Sequence, residues 1–301
     1  MSAKRRVAWV GADGALGATL APALGAQPLR LRCPDLSDDG PMGEIDGFDV
    51  VIDGAGPRVH PGLAWGDYLR EHVGTATRVA RSMRPGRHLV FISSAAIYGA
   101  GRGDVSASTA PRPDTFPVPP YAWAKLTAEY AVRAVSAERG VALTVLRPSI
   151  IYGPGAGGVL VTLRDFARRG LRASLLPEST RQHLLHLHLF QRVLEGLIAV
   201  PPPSETRIFV VADPFVLTSA ELNAAYMAAG PRAAPLPVPI GLVARASRGW
   251  QRRTGRDLPG PVAVAAMLGL DNAYDWQPCL AHLGIDPGPF GRRVFDDFLE
   301  A

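Results

Sequence analysis

Short runs of consecutive apolar residues recur along the chain, and glycine, proline or serine lies within a few residues of the end of each. Val7-Ala8-Trp9-Val10, Phe48-Asp49-Val50-Val51-Ile52-Asp53, Arg87-His88-Leu89-Val90-Phe91-Ile92 and Val141-Ala142-Leu143-Thr144-Val145-Leu146 have this form, and Arg207-Ile208-Phe209-Val210-Val211 follows later. Runs of this length without polar alternation predict strands buried on both faces, as in a parallel sheet. Longer stretches lie between them. A helix is predicted from Trp65 through Met83, another begins at Tyr121, and a third covers Val159 to Arg169. Thr218-x-x-Glu221 is a capping box that opens one more helix. Strands alternating with helices predict an α/β fold, a Rossmann-type doubly wound parallel sheet. From Val238 to Phe298 the pattern changes to short helices broken by Gly and Pro, which predicts a small, mostly helical C-terminal lobe. The expected division is residues 1–154 plus about 183–215 for the dinucleotide-binding domain, and 155–182 plus 216–301 for the lobe. No internal repeat is visible.

The first strand runs into Gly11, Gly14 and Gly17, and then a helical run through Leu20 and Leu24. Such a turn lets backbone approach a pyrophosphate, and the helix start offers free N–H groups and a positive dipole end. Gly11, Gly14, Ala15, Leu16 and Gly17 are therefore candidate cofactor contacts. The next segment is short for this fold. Leu29-Arg30-Leu31-Arg32-Cys33 alternates like a strand, and Pro34-Asp35-Leu36 follows at once. There is no room for another helix and strand, so one crossover is expected to be shortened. Arg32 stands where an acid would hold a ribose 2′-hydroxyl, and an Arg there suits a 2′-phosphate. This leans the cofactor to NADP, with NAD the alternative. Asp35 and Leu36 either face the adenine side or begin a turn. Gly54-Ala55-Gly56 closes the Val50–Asp53 run, at a strand end that borders the crevice of a parallel sheet.

The chemistry is expected after the next strand. Ser93-Ser94-Ala95-Ala96-Ile97-Tyr98-Gly99 places a hydroxyl just past a strand end, where it either polarises a carbonyl or caps a turn. A Pro-rich loop leads to Tyr121-Ala122-Trp123-Ala124-Lys125. Residues four apart on a helix share a face. A cation beside a phenol lowers its pKa and fits it for acid–base work. Arg147-Pro148-Ser149-Ile150-Ile151-Tyr152-Gly153-Pro154 follows the fourth apolar run.

The glycine turn, the Ser94 segment, Tyr121-x-x-x-Lys125 and the Arg147–Pro154 segment occur in family order. Together they resemble an extended short-chain dehydrogenase/reductase of the NAD-dependent epimerase/dehydratase group. The resemblance covers nearly the whole chain and implies an enzyme. It implies Tyr121 as the acid/base, Lys125 as its pKa modulator and a holder of the nicotinamide ribose, and Ser94 as partner of the substrate oxygen. Pro148, Ser149 and Ile151 would line the nicotinamide pocket. Ala95 and Ala96 replace the acidic pair of the family's dehydratases, which opposes elimination of water by that route. Glu71-His72-Val73-Gly74-Thr75 carries Glu71 where the family often has Asn. Gln182 stands where nucleotide-sugar enzymes place a pyrophosphate-binding Arg, with Arg181 adjacent. Gln182 and His186 are candidate substrate contacts.

Gln182-His183-Leu184-Leu185-His186-Leu187-His188 alternates like a strand, with His186 and His188 on one face. No Cys or acid nearby completes a zinc set, so no metal is expected. Thr254-Gly255-Arg256 and the segment Cys279 to Pro287 resemble the sterol-dehydrogenase and dihydroflavonol-reductase branch.

Composition narrows the class. The 301 residues are 47% hydrophobic and 20% charged, with net charge +5 and pI ≈ 9.5. The arginines are spread along the chain, and a cleft for an anionic cofactor accounts for that balance without nucleic acid. Two cysteines, Cys33 and Cys279, and no membrane-length apolar run predict a soluble cytoplasmic protein with no disulfide framework. The expected activity is NAD(P)-dependent interconversion of a secondary alcohol and a ketone on a small or lipophilic substrate. Its rivals are a nucleotide-sugar epimerase, a cofactor-binding scaffold and a non-redox isomerase or cyclase. The family resemblance further implies a homodimer formed by the Trp65–Met83 and Tyr121–Arg139 helices.

Overall fold

The computed structural model describes residues 5–29, 45–58, 63–100, 103–156, 160–161, 165, 173–228, 236–254, 266–269 and 271–287. Its centre is a six-stranded sheet of β1 (Val7–Val10), β2 (Gln27–Leu29), β3 (Val50–Asp53), β4 (His88–Ile92), β5 (Ala142–Pro148) and β6 (Arg207–Val211). The spatial order is β2-β1-β3-β4-β5-β6. Every pairing is parallel. The apolar runs thus become strands covered on both faces, and β1, β3 and β4 are buried at every position. Residues 30–44, where the shortened crossover is expected, lie outside the described residues. Arg32, Asp35 and Leu36 lie outside the described residues, as does most of the helix expected over Val159 to Arg169.

Each face of the sheet has its own core. On one face Trp9, Ile52, Val90 and Leu146 pack with Leu20 of α1 (Ala15–Ala23) and with Phe190, Val193 and Leu197 of a later helix, Leu187–Ala199. On the other, Val10, Val51, Phe91 and Val145 meet Ala76, Val79 and Ala80 of the Trp65–Ser82 helical segment and Ala128 and Val132 of the long helix that carries Tyr121. The Trp65–Ser82 segment is not one regular helix. It comprises α2 (Trp65–Leu69), a π turn over Arg70–Gly74 and α3 (Thr75–Ser82). The long helix, α4 (Pro119–Arg139), takes two prolines in its first turn, where no N–H partner is required. It ends at Gly140, whose φ of 65° closes the helix in the left-handed region.

The expected strand over Gln182–His188 is broken. Arg181–Gln182 pairs with Leu217–Thr218 and Leu184–His186 pairs with Ile150–Tyr152. At His186 the chain turns into α5 (Leu187–Ala199), because the His186 ring nitrogen accepts the His188 backbone N–H at 3.2 Å and caps the helix. His188 therefore lies on a helix and not on a strand face with His186. The Thr218 capping box forms as expected: Glu221 N donates to Thr218 Oγ1 at 3.2 Å and Thr218 N donates to Glu221 Oε2 at 2.8 Å. The chain then returns to the sheet layer, where Cys279, Leu280 and Leu283 join the core beside α5. No described helix is long and apolar enough to cross a membrane.

Candidate active site

The strand order reverses at the border of β1 and β3, since β2 lies on one side of β1 and β3 on the other. Ligands of such sheets bind outside the C-terminal strand ends at that border. Gly11 follows β1 there and Gly54 follows β3, with Gly54 N donating to Val10 O at 3.1 Å. The backbones are so close that a Cβ on Gly11 would lie 2.7 Å from Ala55 Cα. The φ of Gly11, +82°, disfavours any other residue as well. A Cβ on Gly17 would strike Ala12 Cα and the Gly11 carbonyl, both at 2.6 Å, so α1 can start this near the sheet only with glycine there. Gly14, at the N-cap, and Ala15 and Leu16 open that helix beside the crevice. Gly56 lies over the His72 ring.

Pro148 ends β5, and Ser149 N donates to Val211 O at 2.9 Å. The Ser149 hydroxyl is buried and makes no hydrogen bond among the described residues. Ile151, half-buried, lies on the short strand beside Leu185. A glycine-only cradle at the switch point and an unsatisfied hydroxyl beyond β5 fit an elongated polar ligand such as a dinucleotide.

Ser94 stands just past β4. Its hydroxyl accepts Ala96 N–H at 3.1 Å and caps the 3₁₀ turn Ala95–Tyr98, in which Ala95 and Ala96 are buried. The cap is one of the two roles read for it, and the hydroxyl is also hydrogen-bonded to that of Tyr121. Tyr121 is held by rings on several sides: His72 at 5.7 Å and Tyr68 at 6.1 Å edge-on, and Phe116 tilted at 6.3 Å. Lys125, one helical turn on, is buried; its Nζ donates to Ile92 O at 3.0 Å and lies 5.5 Å from the centre of the Phe91 ring.

The expected tuning of the phenol differs here. Burial raises the Tyr121 pKa, the Ser94 hydrogen bond draws it back, and Lys125 is turned to the Ile92 carbonyl. The lysine itself is pushed down to about 8, by burial first, with Asp53 and Glu129 pulling it up.

Three groups at this end of the sheet carry weight that spacing alone does not show. Asp53 ends β3 with 2% exposure, and burial raises its carboxyl to about 6. An acid closing a buried parallel strand was the available signal. His72 is buried on the π turn, and burial holds it well below the ordinary imidazole range. Glu129 and Arg147 form a buried ion pair at 2.6 Å. Ser93 also donates to Glu129, and Arg147 reaches Tyr98 Oη at 2.6 Å.

The two candidate substrate residues are differently placed. The Gln182 amide donates to Leu268 O, and Arg181 pairs with Asp104 at 3.0 Å and Asp271 at 3.2 Å. Arg181 thus ties its short strand to the paired strands Gly103–Val105 and Asn272–Tyr274, and Gln182 is held against Leu268. His186 packs edge-on against Tyr152 at 5.0 Å and under Gly153.

A doubly wound parallel sheet with a glycine cradle and a Ser–Tyr–Lys group at its strand ends defines a Rossmann-type protein of the extended short-chain dehydrogenase/reductase kind. The profile of the NAD-dependent epimerase/dehydratase family matches residues 10–176, and the chain belongs to that family. Solved structures agree on the fold. Human epimerase family protein SDR39U1 (isoform 2) with NADPH is 18% identical, with 98% of each chain covered and a TM-score of 0.73. UDP-glucuronic acid 4-epimerase from Bacillus cereus, with UDP-glucuronic acid and NAD, is 14% identical over 98% of this chain and 97% of that one, with a TM-score of 0.72. DesIV, a dTDP-glucose 4,6-dehydratase from Streptomyces venezuelae with NAD and TYD bound, is 13% identical over 98% and 95%, with a TM-score of 0.71. The sequence has no significant match among curated proteins.

Proposed function

We propose that the chain is a nicotinamide-dependent oxidoreductase that interconverts a secondary alcohol and a ketone on a small or lipophilic substrate. The observation that carries this reading is the hydrogen-bonded Ser94–Tyr121 pair at the C-terminal end of β4, with Lys125 one turn away. Gly11, Gly14 and Gly17 would hold the cofactor's pyrophosphate, and Ser149 and Pro148 its nicotinamide end. NAD and NADPH occur in the structural neighbours, and Arg32 leans the choice to NADP. When bound, the cofactor supplies or accepts the hydride at the carbon bearing oxygen.

The protein's own part is the proton. Tyr121 gives its hydroxyl proton to the oxygen of a ketone being reduced, or takes it from an alcohol being oxidised. Ser94 holds that oxygen in line. The raised pKa keeps Tyr121 protonated at neutral pH, which suits the reducing direction. Tyr121→Phe should lower kcat by about 10²–10⁴-fold with cofactor affinity unchanged. Ketone-dependent cofactor absorbance and a fluorescence titration of NADPH measure the two quantities. Full turnover in that variant would remove the proton role.

Nucleotide-sugar epimerisation is the second reading, and the UDP-glucuronic acid epimerase neighbour favours it. The engagement of Gln182 and Arg181 within the lobe supports the first, because neither is offered to a diphosphate. Calorimetry with UDP- and dTDP-sugars separates them: micromolar binding would favour the epimerase.

A further inference from the structure

Only two of the chain's 32 Lys and Arg residues are lysines, Lys4 and Lys125. Lys125 is 5% exposed. An ammonium removed from water is costly unless an opposite charge meets it. Glu129, one turn further along α4, is already taken, for Arg147 donates to both of its oxygens and Ser93 to one. Two further carboxyls are buried among the described residues, Asp213, whose Oδ1 accepts the His186 N–H at 2.9 Å, and Asp53. Asp53 shares its sheet face with Val51, and in register it stands between Val10 and Phe91. The Lys125 ammonium lies over that same Phe91 ring and donates to the carbonyl of the next residue, Ile92. Acid and base therefore flank one residue, on the face covered by α4.

We propose that Asp53 is a positioning residue, the buried counter-ion that keeps Lys125 charged in its seat one helical turn from Tyr121. The effect on turnover rests on the function proposed above; the pairing does not. The other titratable groups around Lys125 are accounted for. His72 on the π turn is neutral, Tyr121 is protonated, and Glu129 is neutralised by Arg147. Each partner supports the other's charge against burial: Asp53 draws the lysine upward and Lys125 draws the carboxyl downward. Both are charged between about pH 6 and about pH 8.

Two lysines make the test direct. Cofactor-free protein grown on ¹³C-lysine shows two lysine Cε signals, and Lys125→Met assigns them by loss of one. Lys125 should titrate at about 8, and the Lys4 signal serves as the internal reference. Asp53→Asn retains an acceptor for the Ala55 N–H that now bonds Asp53 Oδ1 at 3.0 Å. Removing the carboxylate removes the larger of the two pulls that favour the ammonium, Glu129 supplying the other. The Lys125 midpoint should therefore fall by at least about one pH unit, a tenfold loss of proton affinity, with Lys4 unmoved. An unmoved Lys125 midpoint in folded Asp53→Asn overturns the proposal. Should that variant not fold, the wild type decides: the Lys125 signal must show a second inflection at the Asp53 midpoint, and a single step overturns the pairing. The pH profile of kcat/KM should move with the lysine midpoint. A shifted midpoint with an unmoved profile overturns the positioning role. Lack of any turnover by the wild type counts against the oxidoreductase reading alone, since the lysine titration needs no turnover.

Discussion

Tyr121 and Lys125 are four residues apart, and that spacing alone puts them on one helix face. What the spacing does not set is the charge around them. Burial raises the phenol, and the nearest help comes from Ser94, brought in from the end of β4. Glu129 shows the same limit. It is one turn from Lys125, the separation of a helix ion pair, yet the fold gives it to Arg147 on β5. That pair is almost fully buried, at 6% and 1% side-chain exposure, and Tyr98 and Ser93 complete its hydrogen bonds. Removing one member leaves an uncompensated charge. Glu129→Gln should therefore cost about 3–5 kcal/mol, read from urea unfolding. A loss below about 1 kcal/mol, the scale of an exposed pair, would show that the network is not closed to water.

At the scale of elements, local signals held wherever one chemical device makes the boundary. The Thr218–Glu221 box and the Pro119–Pro120 start of α4 are of that kind. Thr218→Ala removes one side of the box and should cost about 1 kcal/mol. Its thermal midpoint would check this, and an unchanged midpoint would mean that packing alone holds that helix start. The His-rich stretch misled for a physical reason. Alternation of apolar and polar residues over Gln182–His188 reads as a strand, but the His186 side chain captures the His188 N–H and starts a helix. The Trp65–Ser82 segment differs in another way. Periodicity predicts a helix there, and the π turn at Arg70–Gly74 re-aims His72 towards Tyr121.

For the whole molecule, the alternation of buried strands with helices implies a parallel sheet, and the order its strands take sets the switch point. We propose that two copies pair through α2 and α4, where Trp65, Trp123 and Tyr130 are 43%, 42% and 58% exposed. Large aromatics in such numbers on adjacent helices favour a covered surface. Light scattering should give twice the 32.0 kDa chain mass, and Trp123→Asp should halve it. A wild-type monomer at tens of micromolar would rule the pairing out.

The sequence by itself determined the class. Buried-strand runs, a glycine turn after the first of them, Ser94 past β4 and Tyr121-x-x-x-Lys125 are local patterns, and local geometry is enough to give them meaning. Only the tertiary structure decided which charges meet. Asp53 comes from β3, Lys125 from α4, Arg147 from β5 and His72 from the π turn. Their partners and their distance from water depend on strand register and helix packing, and those depend on contacts between residues far apart in the chain.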